Sequence, residues 1–301
     1  MDTAQNLRAF LEVAQAGSFS AAARRVGVAT SVIAKRIDQL EAAVGIRLFQ
    51  RTTRAVSLSQ AGQNWRGRVQ SLVADLDDVM AGAARTSHEL EGPVRIKAPT
   101  TLTILHLADV LARFQSRHPG IVLDVVLTDR PVNPADEGFD IAVAAFGTSF
   151  GGVTDLPLCP LRRMLCAAPG YLARRGAPQH PRDLSGHDTL SFQPTGHVWS
   201  FASAQGPIQV AVSPKVSAND GQVLLASARA GNGIALLSEY VALPSLRRGD
   251  LVTVLEAFPL PEIWLKVLVP NTRMHVSRIR ALADFLVESF APLPPWQTDV
   301  F

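Results

Sequence analysis

Cysteine is scarce. Cys159 and Cys166 are the only two, and they form no metal-binding or redox spacing. Cys166 lies in an apolar run, Met164 to Ala168, that reads as a buried strand, so a disulfide-stapled or thiol-based protein is not expected. No uninterrupted apolar stretch approaches the ~20 residues of a bilayer span. Met1 to Asn6 has neither the basic start nor the apolar run of a secretory leader; the expected location is the cytoplasm. Catalytic signatures are also missing: no H-E-x-x-H, no phosphate-binding Gly-rich loop, no paired C-x-x-C. Gly147 to Gly151 matches G-x-S-x-G, but a nucleophile elbow needs a helix directly after its serine. The sequel, GVTDLPLCPL, has two prolines and no helical period, which argues against Ser149. Asp136, Glu137 and Asp140 straddle a Gly138-Phe139 turn and make a poor acid–base pair. The expectation is no enzyme, no cofactor and no metal.

Positive charge is plentiful at one end only. The 301 residues allow two or three modules. Residues 1–68 hold ten Lys or Arg against four Asp or Glu, while the remainder holds nineteen against twenty-two. A basic head on a mildly acidic body suggests a polyanion partner for the head.

Local patterns within the head agree. Leu7, Phe10, Leu11 and Ala14 recur at helical spacing, and that helix should end near Gly17. Ser20 reads as the N-cap of a short second helix, AAARRV, with Phe19 as its staple and Gly27 as its left-handed end. Thr30 reads as the N-cap of a third helix that runs to Gly45. On it Ile33, Ile37, Leu40 and Val44 form one stripe; Ser31 and Lys35 open the opposite face, with Arg36 on the flank. Such a face is either simply solvated or a probe for a DNA groove. After Gly45 the period becomes two. IRLFQR and AVSLS flank Arg51, Thr52, Thr53 and Arg54, a hairpin tip suited to the DNA backbone or a narrow minor groove. Two helices about a Gly-containing turn, followed by such a hairpin, spell a winged helix-turn-helix, in which the second helix enters the major groove.

The stretches GSFSAAA, RIDQLEAAVGIRLFQR, RTTR and LSQAG, in that order, resemble the N-terminus of LysR-type transcriptional regulators. The resemblance implies that Thr30, Ser31, Lys35 and Arg36 face the groove or its phosphates, and that Arg54 sits in the wing. Ala34 and Ala29 stand where the family usually or often has Ser.

From Gln60 to about His88 runs one long helical pattern. Trp65, Val69, Leu72, Leu76, Val79 and Ala83 alternate spacings of four and three, a coiled-coil seam. The alternatives are pairing with a second copy and packing on its own domain; the resemblance implies a dimerising linker helix. The expected partition is 1–60 for the head, 61–90 for the linker and 91–301 for an effector domain.

In that last region short strands alternate with helices: VRIKAP, IVLDVVL, DIAVAAF, IALL and IWLKVLV, among others. This predicts an α/β domain with mainly parallel sheet, binding ligands beyond the carboxyl ends of its strands. GPVRIKAPTTL, FQSRHPGIVLDV, DEGFDIAV, APGYLARRGAP and SANDGQVLLASARAGNGIALLSEY resemble the same family's two-lobed, periplasmic-binding-protein-like effector domain. The resemblance implies lobe one at 92–161 plus 268–291, lobe two at 162–267, and an inducer between them. Thr100 and Thr101 open a helix whose hydroxyls and free N–H groups would suit an anionic or polar group. Asn219 and Asp220 open the matching helix of lobe two. Thr195, His197 and Trp199 are candidates to close over a ligand, and Phe146 to form an apolar wall. Ala145 stands where the family commonly has Arg. Two functions remain open from the residues alone. One is an effector-responsive regulator, homodimeric or homotetrameric, on a dyad-symmetric DNA operator, touching RNA polymerase if it activates. The other is a small-molecule binding protein or enzyme with a basic extension that does not read DNA.

Overall fold

The computed structural model describes residues 2–51, 56–82, 90–145, 149–203 and 206–297. Three helices build the head: α1 (Thr3–Ala16), α2 (Phe19–Val26) and α3 (Thr30–Val44). Gly17, Gly27 and Gly45 end them at φ of 63°, 73° and 72°, a conformation that disfavours any side chain. The helix starts differ from the sequence expectation. Ser18, extended in backbone, caps α2 through the Ala21 N–H, and Ser20 falls inside the helix. Ala29 precedes α3 with no side-chain cap, which makes Thr30 its first residue. Phe10, Val13, Ile33 and Ile37 are fully buried, and Phe10 meets Phe49 with ring centroids 5.4 Å apart. β1 (Phe49–Arg51) and β2 (Val56–Leu58) pair antiparallel as the wing.

α4 (Gln60–Gly82) follows directly. Its predicted seam is divided. Trp65 and Val69, joined by Val73, are absorbed into the head's core, whereas Leu72 is 54% exposed. Ala83 lies outside the described residues. A second face of α4 rests on the effector domain. A Cβ on Gly67 would stand 2.6 Å from the Glu137 carbonyl oxygen, so only glycine lets the backbones approach. Ser71 Oγ donates to the Gly138 carbonyl at 3.0 Å, and Asp75 pairs with the buried Arg273.

The effector domain continues through β3 (Gly92–Ala98), α5 (Thr100–Leu102), a π-helical turn Thr103–Leu107, α6 (Ala108–Arg117), β4 (Ile121–Leu127), α7 (Pro134–Glu137), β5 (Ile141–Ala144) and β6 (Val153–Leu161). Next come β7 (Arg163–Ala167), α8 (Pro169–Arg175), β8 (Thr189–Phe192), β9 (Val198–Phe201), β10 (Ile208–Ala211), β11 (Pro214–Ala218) and α9 (Gly221–Arg229). β12 (Ile234–Ser238), α10 (Glu239–Arg247), β13 (Val252–Val254), β14 (Ile263–Pro270) and α11 (Ser277–Ser289) complete it.

Two five-stranded sheets result, β4-β3-β5-β14-β6 and β11-β8-β12-β7-β13, one per lobe. β3 is parallel to β4 and β5, and β8 to β11 and β12. The expectation of mainly parallel sheet needs correction at β14 and β7, which run antiparallel to both their neighbours. Each arrives from the other lobe rather than through a helical crossover, and a crossover is what makes neighbours parallel. The return to lobe one also comes earlier than residue 268: all of β14 belongs to its sheet, starting with Ile263 opposite Leu161. β6 keeps Pro157 and Pro160 because it lies at the sheet's edge, where a missing N–H is tolerated. In the Pro-rich stretch near the end, Pro294 and Trp296 are buried while Pro292 and Leu293 are exposed. Trp296 is 6% exposed; its Nε1–H donates to Glu239 at 3.1 Å, and its ring lies against His106 and Tyr240.

Candidate functional site

The head presents a polar helix edge on an apolar foundation. Burial of Ile33, Ile37 and Leu40 fixes the roll of α3, and Thr30, Ser31 and Lys35 are exposed as a consequence. Arg36 is half-buried, and its guanidinium donates to the Gln5 side chain of α1, which makes it a flank residue. Glu41, on the inner face, ties α3 to the wing. One carboxylate oxygen accepts the Leu48 and Phe49 N–H groups at 2.7 and 3.1 Å; the other pairs with Arg47 at 3.1 Å. Arg51 ends β1 opposite Val56. Thr52, Thr53 and Arg54 lie outside the described residues.

Between the lobes is a cavity of about 70 Å³. Leu161, Phe192, Leu224, Leu236 and Ile263 supply apolar wall; Thr101, Asp129, Arg163, Thr195, Ser238 and Tyr240 supply polar groups. Thr101 bridges the lobes: its hydroxyl donates to Asp220 Oδ2 at 2.8 Å and accepts the Gly221 N–H at 3.2 Å. Asp220 Oδ1 meanwhile caps α9 through the Gln222 and Val223 N–H groups. The N–H groups expected to be free at Thr100 and Thr101 are not both so. Thr100 N–H donates to Asp129 Oδ1 at 3.2 Å, so a carboxylate of the chain itself occupies the start of α5.

The other sequence candidates scatter. Thr195 lines the cavity, with its hydroxyl donating to the Phe192 carbonyl at 3.0 Å. His197 is exposed, its Nδ1 3.2 Å from Ser191 Oγ. Trp199 is 3% exposed and belongs to lobe two's own core beside Tyr171 and Phe201; its large ring is better accommodated there than at a solvent cleft. Asn219 is exposed and does not line the cavity. Phe146 lies outside the described residues. Ser149 donates to Asp155 at 2.6 Å, and the strand β6 follows instead of a helix.

Arg163, Asp129, Ser238 and Tyr240 were missed. Asp129 stands two residues past β4, at the carboxyl end of a parallel strand, where ligand groups collect; that signal was readable. Arg163 opens an apolar strand. One of its terminal nitrogens donates to the Pro261 carbonyl at 3.1 Å, while Nε is buried with no hydrogen-bond partner among the described residues. Burial draws its pKa down from the ordinary guanidinium value. Close to Asp129, Lys97 is 1% exposed; burial pulls its pKa down to about 8, against the attraction of Asp129. Burial also pushes the thiols of Cys159 and Cys166 up to about 12, so both stay protonated and poorly nucleophilic at neutral pH.

The head matches a family model described as "Bacterial regulatory helix-turn-helix protein, lysR family" over residues 4–63, and the lobes match "LysR substrate binding domain" over residues 87–291. The chain belongs to the LysR family. It is 29% identical to a probable HTH-type transcriptional regulator, LtrA, of Klebsiella pneumoniae, over 98% of this chain and 97% of that protein. It is 30% identical to the HTH-type transcriptional regulator CrgA of Neisseria meningitidis serogroup C, over 94% and 96% of the two chains. The solved structure of CrgA from Neisseria meningitidis aligns with a TM-score of 0.60 at 28% identity, covering 95% of this chain and 98% of that one. ArgP from Mycobacterium tuberculosis shares the fold at a TM-score of 0.68, covering 96% and 97%. This LysR-type transcriptional regulator thus joins a DNA-binding winged head to an effector-binding domain, and the reading as a binding protein or enzyme with a decorative basic end is not favoured. No helix among its described residues is long and apolar enough to cross a membrane.

Proposed function

We propose that the regulator reads a dyad-symmetric operator with α3 in the major groove, and that a small molecule in the inter-lobe cavity controls it. The observation that carries this is the exposed first face of α3, Thr30, Ser31 and Lys35, on a helix whose opposite side is sealed into the core. Those residues meet base edges and phosphates, Arg36 stays on the flank, and the wing from Arg51 through Thr52, Thr53 and Arg54 follows the neighbouring backbone. The exposed Leu72 and Met80 of α4 are covered by a second copy, which yields a homodimer, or a homotetramer of paired dimers. Two heads then span half-sites about one helical turn, or a multiple of it, apart.

The small molecule acts only through unequal affinity for two arrangements of the assembly. Thr101 and Asp220, already bonded across the lobes, are the contacts such a ligand resets, and Thr195 closes the rim. If the outcome is activation, the assembly contacts RNA polymerase. The compartment is the cytoplasm, where operator and metabolite are both available.

Titrating full-length protein on DNA from upstream of its own gene, across a salt series, tests the docking. The logarithm of affinity should fall with slope of about −0.9 per phosphate neutralised. Lys35→Ala and Arg54→Ala should each weaken binding and flatten that slope by about one contact. Unchanged binding by both variants refutes the assignment.

A further inference from the structure

The cavity offers an anion two landing places, and one is taken. At the start of α5 the Thr100 N–H is held by Asp129 and the Thr101 hydroxyl by Asp220. A ligand carboxylate placed there would face the Asp129 charge across a poorly hydrated space, where like charges repel strongly. On the opposite wall Arg163 is the only cationic residue lining the cavity among the described residues. Its guanidinium donates to the Pro261 carbonyl, and its buried Nε has no partner among the described residues. A buried donor in that state gains most from a charged acceptor, and guanidinium matches carboxylate geometry with two parallel bonds. The remaining wall is uncharged, aliphatic and aromatic with the polar side chains of Thr101, Thr195, Ser238 and Tyr240, and has Ala145 rather than a second cation on the lobe-one side.

Resting on the reading of this cavity as the effector site, we propose that its ligand is a small apolar monocarboxylate. Its anionic end docks on Arg163 of lobe two, not at the start of α5 in lobe one. One cation neutralises one negative charge. A dicarboxylate or a phosphate dianion would bring a second charge to a wall with no second cation, or to Asp129, and neutral hydroxyls compensate lost hydration less well than a cation does. The apolar body fills the space between Leu161, Phe192 and Ile263, and Asp129 favours a hydroxyl or amide donor at the far end.

Calorimetric titration of the full-length protein tests this with benzoate, 3-phenylpropanoate and cyclohexanecarboxylate, each beside its primary amide, and with terephthalate as the dianion. At least one monocarboxylate should bind, with its amide and terephthalate weaker by about tenfold or more. Arg163→Gln should weaken the acid by a similar factor while leaving the amide unchanged, and Arg163→Lys should restore part of the loss. Ala145→Phe, which fills the cavity, should abolish both. An acid that binds wild type and Arg163→Gln alike, yet is lost in Ala145→Phe, leaves the cavity as the site and overturns the Arg163 anchor. An acid unaffected by Ala145→Phe overturns the cavity itself. Equal binding of acid and amide, or no monocarboxylate binding at all, overturns the ligand class. The acid–amide comparison on wild type decides the matter even if Arg163→Gln fails to fold.

Discussion

Glu41→Ala should damage the head more than any exposed substitution, because its carboxylate accepts two buried backbone N–H groups. Leu48 is fully buried and Phe49 is 4% exposed, so water cannot replace the lost acceptor without opening the core. Each orphaned donor costs about 1–3 kcal/mol, giving about 2–6 kcal/mol for the pair. The Arg47 ion pair adds little, since the Arg47 side chain is 76% exposed and such pairs contribute about 0–1 kcal/mol. Against a typical domain stability of about 5–15 kcal/mol, the head would be left marginal. Glu41→Gln keeps a carbonyl acceptor and should lose only about 1–2 kcal/mol. Amide hydrogen exchange reads the effect directly: protection at Leu48 and Phe49 should collapse in the alanine variant and survive in the glutamine one. Denaturant titration gives the magnitude. If Glu41→Ala lies within about 0.5 kcal/mol of wild type, the carboxylate is not the link between α3 and the wing.

Two further outcomes follow from the effector domain. Thr101→Val deletes both of the hydrogen bonds that Thr101 makes across the lobes and should cost about 1–3 kcal/mol in thermal unfolding, with a larger radius of gyration by X-ray scattering; an unchanged radius would mean the lobes are held elsewhere. Lys97 has a folded pKa of about 8 against an ordinary 10.5, so between those values the unfolded chain binds the extra proton and stability from this group rises with pH. Below pH 8 burial of the charged amine is a standing penalty, which Lys97→Met removes. The stability gap between Lys97→Met and wild type should therefore narrow as pH climbs from 8 to 10.5; a gap independent of pH would refute the burial argument.

Helix ends were the most legible part of the chain, because glycine in the left-handed region is a local rule. Gly17, Gly27 and Gly45 each do what the pattern said. Helix starts were less so: Ser18 and Ser20 are chemically equivalent caps, and only the turn geometry after Gly17 chooses between them. In the cleft, the strand-end logic located Thr101, but it could not show that Asp129 would reach over to the same helix. That contact joins positions 29 residues apart in sequence. Trp199 looked like a rim residue because loop and strand start share its neighbourhood, whereas burial assigns it to lobe two's interior. The reversed strands β7 and β14 escaped notice for a similar reason. An apolar strand looks the same whichever way it runs, and only the path between lobes sets direction.

β14 lies between β5 and β6, although about a hundred residues of chain separate it from β6. On the ribosome the head can fold as soon as it emerges, at the N-terminal end of synthesis. Lobe one cannot: its sheet has a gap until the whole of lobe two has been made, and two unpaired strand edges face each other meanwhile. A nascent repressor or activator would thus own a finished DNA reader long before it owned a finished sensor, and translation halted in that interval would release a head with no means of being told what to do.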